Sequence, residues 1–323
     1  MRGTVLVTGA QGFLGRYVVA ELMRGGADVV GLGRSEHLPG LFTHDLDGRR
    51  APLPSELRAS DAMSYVQISL EDTDGIGAVL RRFSPRRVIH LAGALRDEPW
   101  PVLEAANVTA TASLCRAIAA MPDPPSLLVG SSGSVYGRQR VVPVSEQALP
   151  DPVGPYGATK LMAEIAARAL LDRGIAVARI FNLLGPGLQR RHLAADLAHR
   201  IAAIEAGRAR AELRLGSLMP VRDFIDVRDA ARAIAHWPNA LAQSTANIAS
   251  GQGIAVGEIV SCFIAASGCE IAVAHEAGHD RPGADVMIAD MARGAVTGEL
   301  IALERSVADM LAYARQTQEV CHG

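Results

Sequence analysis

Tyr156 and Lys160 stand four residues apart in PYGATK (155–160), and Lys160 is the only lysine among 32 basic residues. Arginine is a broad, permanently charged fork and lysine a compact point charge, so a lone lysine marks a place where the fork does not fit. On a helix, a spacing of four puts both side chains on one face. A tyrosine with a pKa near 10 is a poor proton carrier at neutral pH. An ammonium about 4 Å away is worth about 4 kcal/mol at an effective dielectric near 20, or up to roughly 3 pK units. Lysine can therefore lower the tyrosine's pKa and still hydrogen-bond a ribose. Further hydroxyls lie upstream in VGSSGSVYG (129–137), where serines follow an apolar strand.

A second cluster of chemistry opens the chain. TGAQGFLG (8–15) places Gly9, Gly12 and Gly15 directly after an apolar run and before an apolar helix. Glycines at that junction let a backbone approach a pyrophosphate at a helix N-terminus. NAD-selective sites carry an Asp or Glu at the end of the second strand, where it holds the ribose 2′-hydroxyl. That place reads GLGRS (31–35), with Gly33 and Arg34 and no carboxylate. Room and positive charge there favour NADP(H), with NAD(H) as the alternative; Arg34 facing solvent is the competing reading.

These residues need a scaffold, and the first half alternates strand and helix patterns. TVLVT (4–8), DVVGL (28–32), SYVQI (64–68), RRVIHLA (86–92), SLLVG (126–130) and IAVARI (175–180) read as strands. Helices are expected over 13–26, 98–120 and 155–174, the last with Pro155 in its first turn and Gly174 past its end. Apolar strands separated by helices imply an α/β, Rossmann-type doubly wound parallel sheet. Residues 1–180 are expected to form the dinucleotide-binding domain. Residues 181–323 are expected to form mainly a substrate lobe, with some segments returning to the core. Within them the pattern loosens into a helix over 192–207, short strands and two more helices. Residues 33–62 read as a polar, irregular insertion.

Composition narrows the classes. Among 323 residues, 49% are hydrophobic and 20% charged, and the net charge is −2, which offers no field for nucleic acid or an anionic membrane. Arg81, Arg82, Arg86 and Arg87 fit a solvated helix end. No signal peptide or membrane-length apolar run is visible. Cys115, Cys262, Cys269 and Cys321 lack metal-site spacing and read as thiols of a reducing cytoplasm.

Taken together, TGxxGxxG, HLAG (90–93), the serine segment and YxxxK resemble the extended short-chain dehydrogenase/reductase family over essentially the whole chain. The resemblance implies a catalytic Ser132, with Tyr156 as proton donor or acceptor and Lys160 as its activator and ribose ligand. It also implies cofactor contacts from Gly9, Gly12, Phe13, Leu14, Gly15 and Arg34, and from Leu91 and Ala92. Asn107 matches a recurrent family asparagine that supports the active-site helix; a helix-packing amide is an equal reading. ARIFNLLGPG (178–187), IAAIEAG (201–207), LRLGSLMPVRDFIDVRDAARA (213–233), NIASG (247–251) and RPGADV (281–286) are similar to nucleotide-sugar enzymes. Among these they resemble the GDP-4-keto-6-deoxy-D-mannose reductase group, relatives of GDP-mannose 4,6-dehydratase.

By that resemblance the partner is a nucleotide-diphosphate sugar, contacted by Ser134, Asn182, Arg222 and Arg281. Arg222 pairing with Asp226, or Arg281 as a loop surface charge, are the other readings. Family 4,6-dehydratases place an acid just after the catalytic Ser/Thr, where Gly133 and Ser134 stand here, so elimination has no evident base. The family's adenine-binding Asp is replaced by ISLEDTD (68–74), which offers Glu71 or Asp72. A homodimer through helices 98–120 and 155–174 is implied. Three functions remain: a reductase of an NDP-4-keto-6-deoxyhexose, an NDP-sugar 4-epimerase with bound NAD, and a catalytically silent NADP(H) sensor.

Overall fold

Apolar runs too short for helices and too continuous for half-exposed strands form a sheet covered on both faces. The computed structural model describes residues 3–46, 48–139, 141–238, 243–275 and 285–320. Its first half runs β1 (Thr4–Thr8), α1 (Phe13–Arg24), β2 (Asp28–Gly33), β3 (Leu41–Leu46), β4 (Arg49–Pro52), β5 (Ser64–Gln67), α2 (Thr73–Phe83) and β6 (Arg87–His90). It continues through α3 (Trp100–Leu103), α4 (Ala110–Ala119), β7 (Ser126–Ser132), α5 (Pro155–Leu170) and β8 (Ile175–Ile180). The remainder holds β9 (Asn182–Leu184), α6 (Leu193–Glu205), β10 (Glu212–Leu215), β11 (Val221–Asp226) and α7 (Val227–Ala235). Then come β12 (Thr245–Ile248), β13 (Gly253–Ala255), α8 (Val256–Ser267), β14 (Ala272–His275), β15 (Val286–Met287) and α9 (Leu303–Val320).

Seven strands form one sheet in the order β12-β8-β7-β6-β1-β2-β5, every pair parallel. The order turns back between β1 and β6, and the crevice at their carboxyl ends is where open α/β sheets bind ligands. The chain leaves those ends at Gly9 and at Leu91–Ala92.

Four expectations change. The region read as one helix over 98–120 is helical from Trp100 to Ala119, but Glu104–Thr109 form a π-helical turn. Such turns displace one side chain out of the regular ladder, and Asn107 lies within this one. Helix α5 stops at Leu170, because Leu171 is extended. Within 33–62, β3 and β4 pair antiparallel, and Phe42, Leu46, Ala51, Leu53 and Leu57 are buried. The apolar side chains that anchor this stretch are too sparse to read as a strand pattern. Three helices rather than two follow residue 207, and β12 extends the main sheet beyond β8.

One apolar cluster joins the halves, packing Phe13, Val18 and Leu22 of α1 with Ile201 of α6, Ile234 of α7, Phe263 of α8 and Leu311 of α9. No helix among the described residues is long and apolar enough to cross a membrane.

Candidate active site

The glycine loop is shaped by close backbone approach. Gly9 adopts φ +68°, and its amide reaches across to the Leu32 carbonyl at 3.1 Å. A Cβ on Gly15 would lie 2.0 Å from the Gly9 carbonyl oxygen, and one on Gly9 would lie 2.7 Å from the Ala92 amide. No side chain could be added without pushing apart β1, α1 and the exit of β6. Helix α1 begins with Gly12 as a cap that has no side-chain oxygen, so its first N–H groups are left for an anion. The Phe13 ring packs on Tyr17 and Phe42, and Leu14 is partly buried against the core. What these two can offer a ligand is mainly backbone. Leu91 and Ala92 hang from β1, their amides bonded to the Thr8 carbonyl and hydroxyl, both at 3.2 Å. Arg34 is exposed at the end of β2 and its guanidinium has no hydrogen bond or ion pair among the described residues.

Strand β7 delivers Ser131 and Ser132 to the same edge. Ser132 caps the turn 133–136, its Oγ accepting from the Ser134 amide at 3.1 Å and lying 3.2 Å from Ser134 Oγ. Pro155 opens α5 so that Tyr156 meets this turn, where Ser132 favours the ionised form of the phenol. Burial pushes the Tyr156 phenol upward; Ser132 and the Arg96 cation oppose it. Lys160, buried, donates from Nζ to the Gly130 carbonyl at 3.1 Å. Burial lowers its ammonium to about 8, against the pull of Glu164 one turn further on.

Lys160 Nζ thus bonds the β7 backbone beside α5, and Arg96 is a second cation near the phenol, favouring its ionised form. Asn107 ties the site together: its Nδ2 donates to Thr159 Oγ1 at 3.0 Å and its Oδ1 accepts the Ala94 amide at 3.1 Å. The side chain thus spans the Gly93–Ala94 loop and α5.

The adenine end and substrate lobe are less convergent. Asp72 caps α2 by accepting the Gly75 amide at 2.9 Å, so that carboxylate is already engaged, while Glu71 is exposed. Ser134 accepts from Arg96 Nη2 at 3.4 Å. Asn182 Nδ2 donates to the Asp223 carbonyl at 2.8 Å. Arg222 pairs with Asp285 rather than Asp226, because Asp226 caps α7 and is held by Arg228 and Ser306. Arg281 lies outside the described residues. Among the described residues no group of three metal-type ligands converges.

Residues 5–249 match the family described as NAD dependent epimerase/dehydratase. The chain belongs to that family. It is accordingly an NAD(P)-dependent enzyme of the nucleotide-sugar epimerases, dehydratases and reductases. It is 29% identical over 275 residues to the GDP-6-deoxy-D-mannose reductase of Pseudomonas aeruginosa, covering 80% of this chain and 79% of that one. It is 31% identical over 232 residues to the UDP-glucose 4-epimerase of Mycolicibacterium smegmatis, covering 69% of each. Its fold matches that of RMD from P. aeruginosa complexed with NADPH at a TM-score of 0.78 and 24% identity, over 98% of this chain and 99% of the other.

Within this family frame, three contributors escape a reading by motif. Arg96 sits in an irregular loop with no pattern to flag it. Glu164 and Arg179 form a buried pair, Nη2 to Oε2 at 2.8 Å, and Ser131 also donates to Glu164. A charge inside the apolar run IAVARI was the available signal, since a buried arginine demands a partner.

Proposed function

We propose that the enzyme is an NADP(H)-dependent reductase of the C4 ketone of a nucleotide-diphospho-4-keto-6-deoxyhexose, with a GDP-linked sugar favoured. The observation that carries this choice is the uncommitted Arg34 guanidinium at the end of β2, where a carboxylate would select NAD. The glycine loop and the start of α1 would hold the pyrophosphate, Arg34 the 2′-phosphate, and Lys160 a ribose hydroxyl. When bound, the nicotinamide supplies the hydride that adds to C4. Tyr156 gives its phenolic proton to the oxygen of the former carbonyl, and Ser132 hydrogen-bonds that oxygen, so ketone becomes alcohol with charge balanced. Gly133 and Ser134 carry no carboxylate with which to drive loss of water. Ser134, Asn182, Arg222 and Arg281 are the proposed sugar-nucleotide contacts. Arg222 would exchange Asp285 for a diphosphate, which guanidinium groups bind in bidentate fashion.

The 31% identity to a 4-epimerase supports a second reading, in which the same three residues serve a bound NAD. Purified enzyme mixed with NADPH and GDP-, UDP-, dTDP- or CDP-linked 4-keto-6-deoxysugars separates the two. The proposal expects stoichiometric loss of nicotinamide absorbance, fastest with the GDP sugar. Conversion of an NDP-hexose to its C4 epimer without added cofactor would overturn it in favour of the epimerase. A cytoplasmic homodimer goes with this reading. Trp100 and Val102 of α3 and Met162 and Ile165 of α5 are exposed, an apolar face suited to a second copy. Light scattering should give twice the chain mass; a monomer at micromolar concentration counts against it.

A further inference from the structure

Arg96 lies in the loop between β6 and α3, exposed, and forms no ion pair among the described residues. Among the described residues its side chain hydrogen-bonds from Nη2 to Ser134 Oγ at 3.4 Å. Ser134 Oγ is in turn 3.2 Å from Ser132 Oγ, and the Ser132 hydroxyl favours the ionised form of the Tyr156 phenol. The two serines cannot drift apart, because the Ser134 amide also donates to Ser132 Oγ at 3.1 Å within the turn that caps β7. A guanidinium thus stands at the outer end of a short hydroxyl chain whose inner end is the phenol.

We propose that Arg96 is a positioning residue for the Tyr156 proton: its N–H donates to Ser134 Oγ, the Ser134 hydroxyl turns to donate to Ser132 Oγ, and the Ser132 hydroxyl is left to donate to the Tyr156 oxygen and stabilise its phenolate form. The inference rests on the reading of Tyr156 as the acid–base group. Its physical basis is the difference between two cations. Lys160, lowered to about 8 by burial, loses charge across the upper working range, whereas a guanidinium does not deprotonate in proteins. Arg96 is therefore the charge that persists when Lys160 fades.

The other charged groups nearby do not duplicate this role. On α5, Lys160 is bonded to Gly130 and Glu164 is held by Arg179 and Ser131. Opposite the loop, Arg191 is engaged by Glu98 at 3.4 Å. His192 is kept towards its neutral form by burial, Arg96 and Arg191, with Asp97 opposing.

The test is a tyrosinate titration in the near ultraviolet, with wild type, Arg96→Gln and Arg96→Lys each read against the same protein carrying Tyr156→Phe. Tyr17, Tyr65, Tyr136 and Tyr313 are pushed up by burial, and the subtraction removes them. Arg96→Gln should move the Tyr156 titration up by about half to one pH unit, a screened charge at this range. Arg96→Lys should restore most of the shift, and the pH profile of kcat/KM should move in the same direction. An unmoved Tyr156 titration in Arg96→Gln overturns the proposal. So does a rise in KM with an unchanged pH profile, which would make Arg96 a substrate contact. If Tyr156→Phe alone leaves turnover intact, the acid–base reading fails instead, while the titration still reports on Arg96.

Discussion

At the residue scale, the site concentrates cost where the chemistry is. Burying Lys160 with only a backbone carbonyl and a carboxylate one turn away disfavours its charged form. Its folded pKa of about 8 lies below the 10.5 of the free side chain. The unfolded chain therefore binds the extra proton between those values, and stability rises with pH across that window. The stability tied to the neutral amine is fully present above about 10.5 and lost as pH falls through about 8. The gap corresponds to a penalty on the order of 3 kcal/mol at neutral pH. Urea titrations of wild type and Lys160→Met should show the variant's relative stability falling as pH is raised from 7 to 10.5; a constant difference would contradict the burial argument. Tyr156→Phe should lower turnover by roughly 10²- to 10⁴-fold, the usual value of a positioned acid, with NADPH binding unchanged by fluorescence titration. Gly15→Ala should abolish cofactor binding, since the added methyl would sit 2.0 Å from the Gly9 carbonyl.

At the element scale, two buried polar groups fasten the strands that carry the site. His90 at the end of β6 bonds Thr8 of β1 at 2.7 Å and Thr111 of α4 at 2.9 Å. Burial and the nearby Lys160 hold it neutral, down to about 3 from the ordinary 6.5. That contribution is present above pH 6.5 and lost as pH falls towards 3. His90→Asn should flatten the stability–pH curve over that window in chemical denaturation, even if its absolute stability is lower. Glu164 of α5 receives Arg179 of β8 and Ser131 of β7, while Arg179 also lies 4.7 Å over the Tyr136 ring. Glu164→Ala strands a buried guanidinium and should cost about 3–5 kcal/mol in urea unfolding, whereas the Glu164→Leu, Arg179→Met pair should recover most of it.

At the scale of the whole molecule, the main apolar cluster runs from α1 through the sheet to α6, α7, α8 and α9, so the two halves share one interior. Shared burial couples their unfolding. Trp237 is buried and Trp100 exposed, which makes Trp237 fluorescence in a Trp100→Phe background a probe of the second half. Its denaturation midpoint should coincide with that of far-ultraviolet circular dichroism, and two separated transitions would refute a common core.

Local physics makes much of this legible in the sequence alone. Strand periodicity, the β1–glycine–α1 junction and the Tyr156–Lys160 spacing depend on neighbours within a few residues, and β1 and β8 match their expected spans residue for residue. The insertion packed behind Phe42, the π turn at Asn107, and β12 as a seventh strand depend on contacts far away along the chain. So does the electrostatics of the site. Sequence spacing pairs Lys160 with Tyr156, but only the packed molecule gives Lys160 the Gly130 carbonyl and brings Arg96, sixty residues upstream of Tyr156, to Ser134 beside Ser132. Charge acts through space, and space between distant residues is set by tertiary packing.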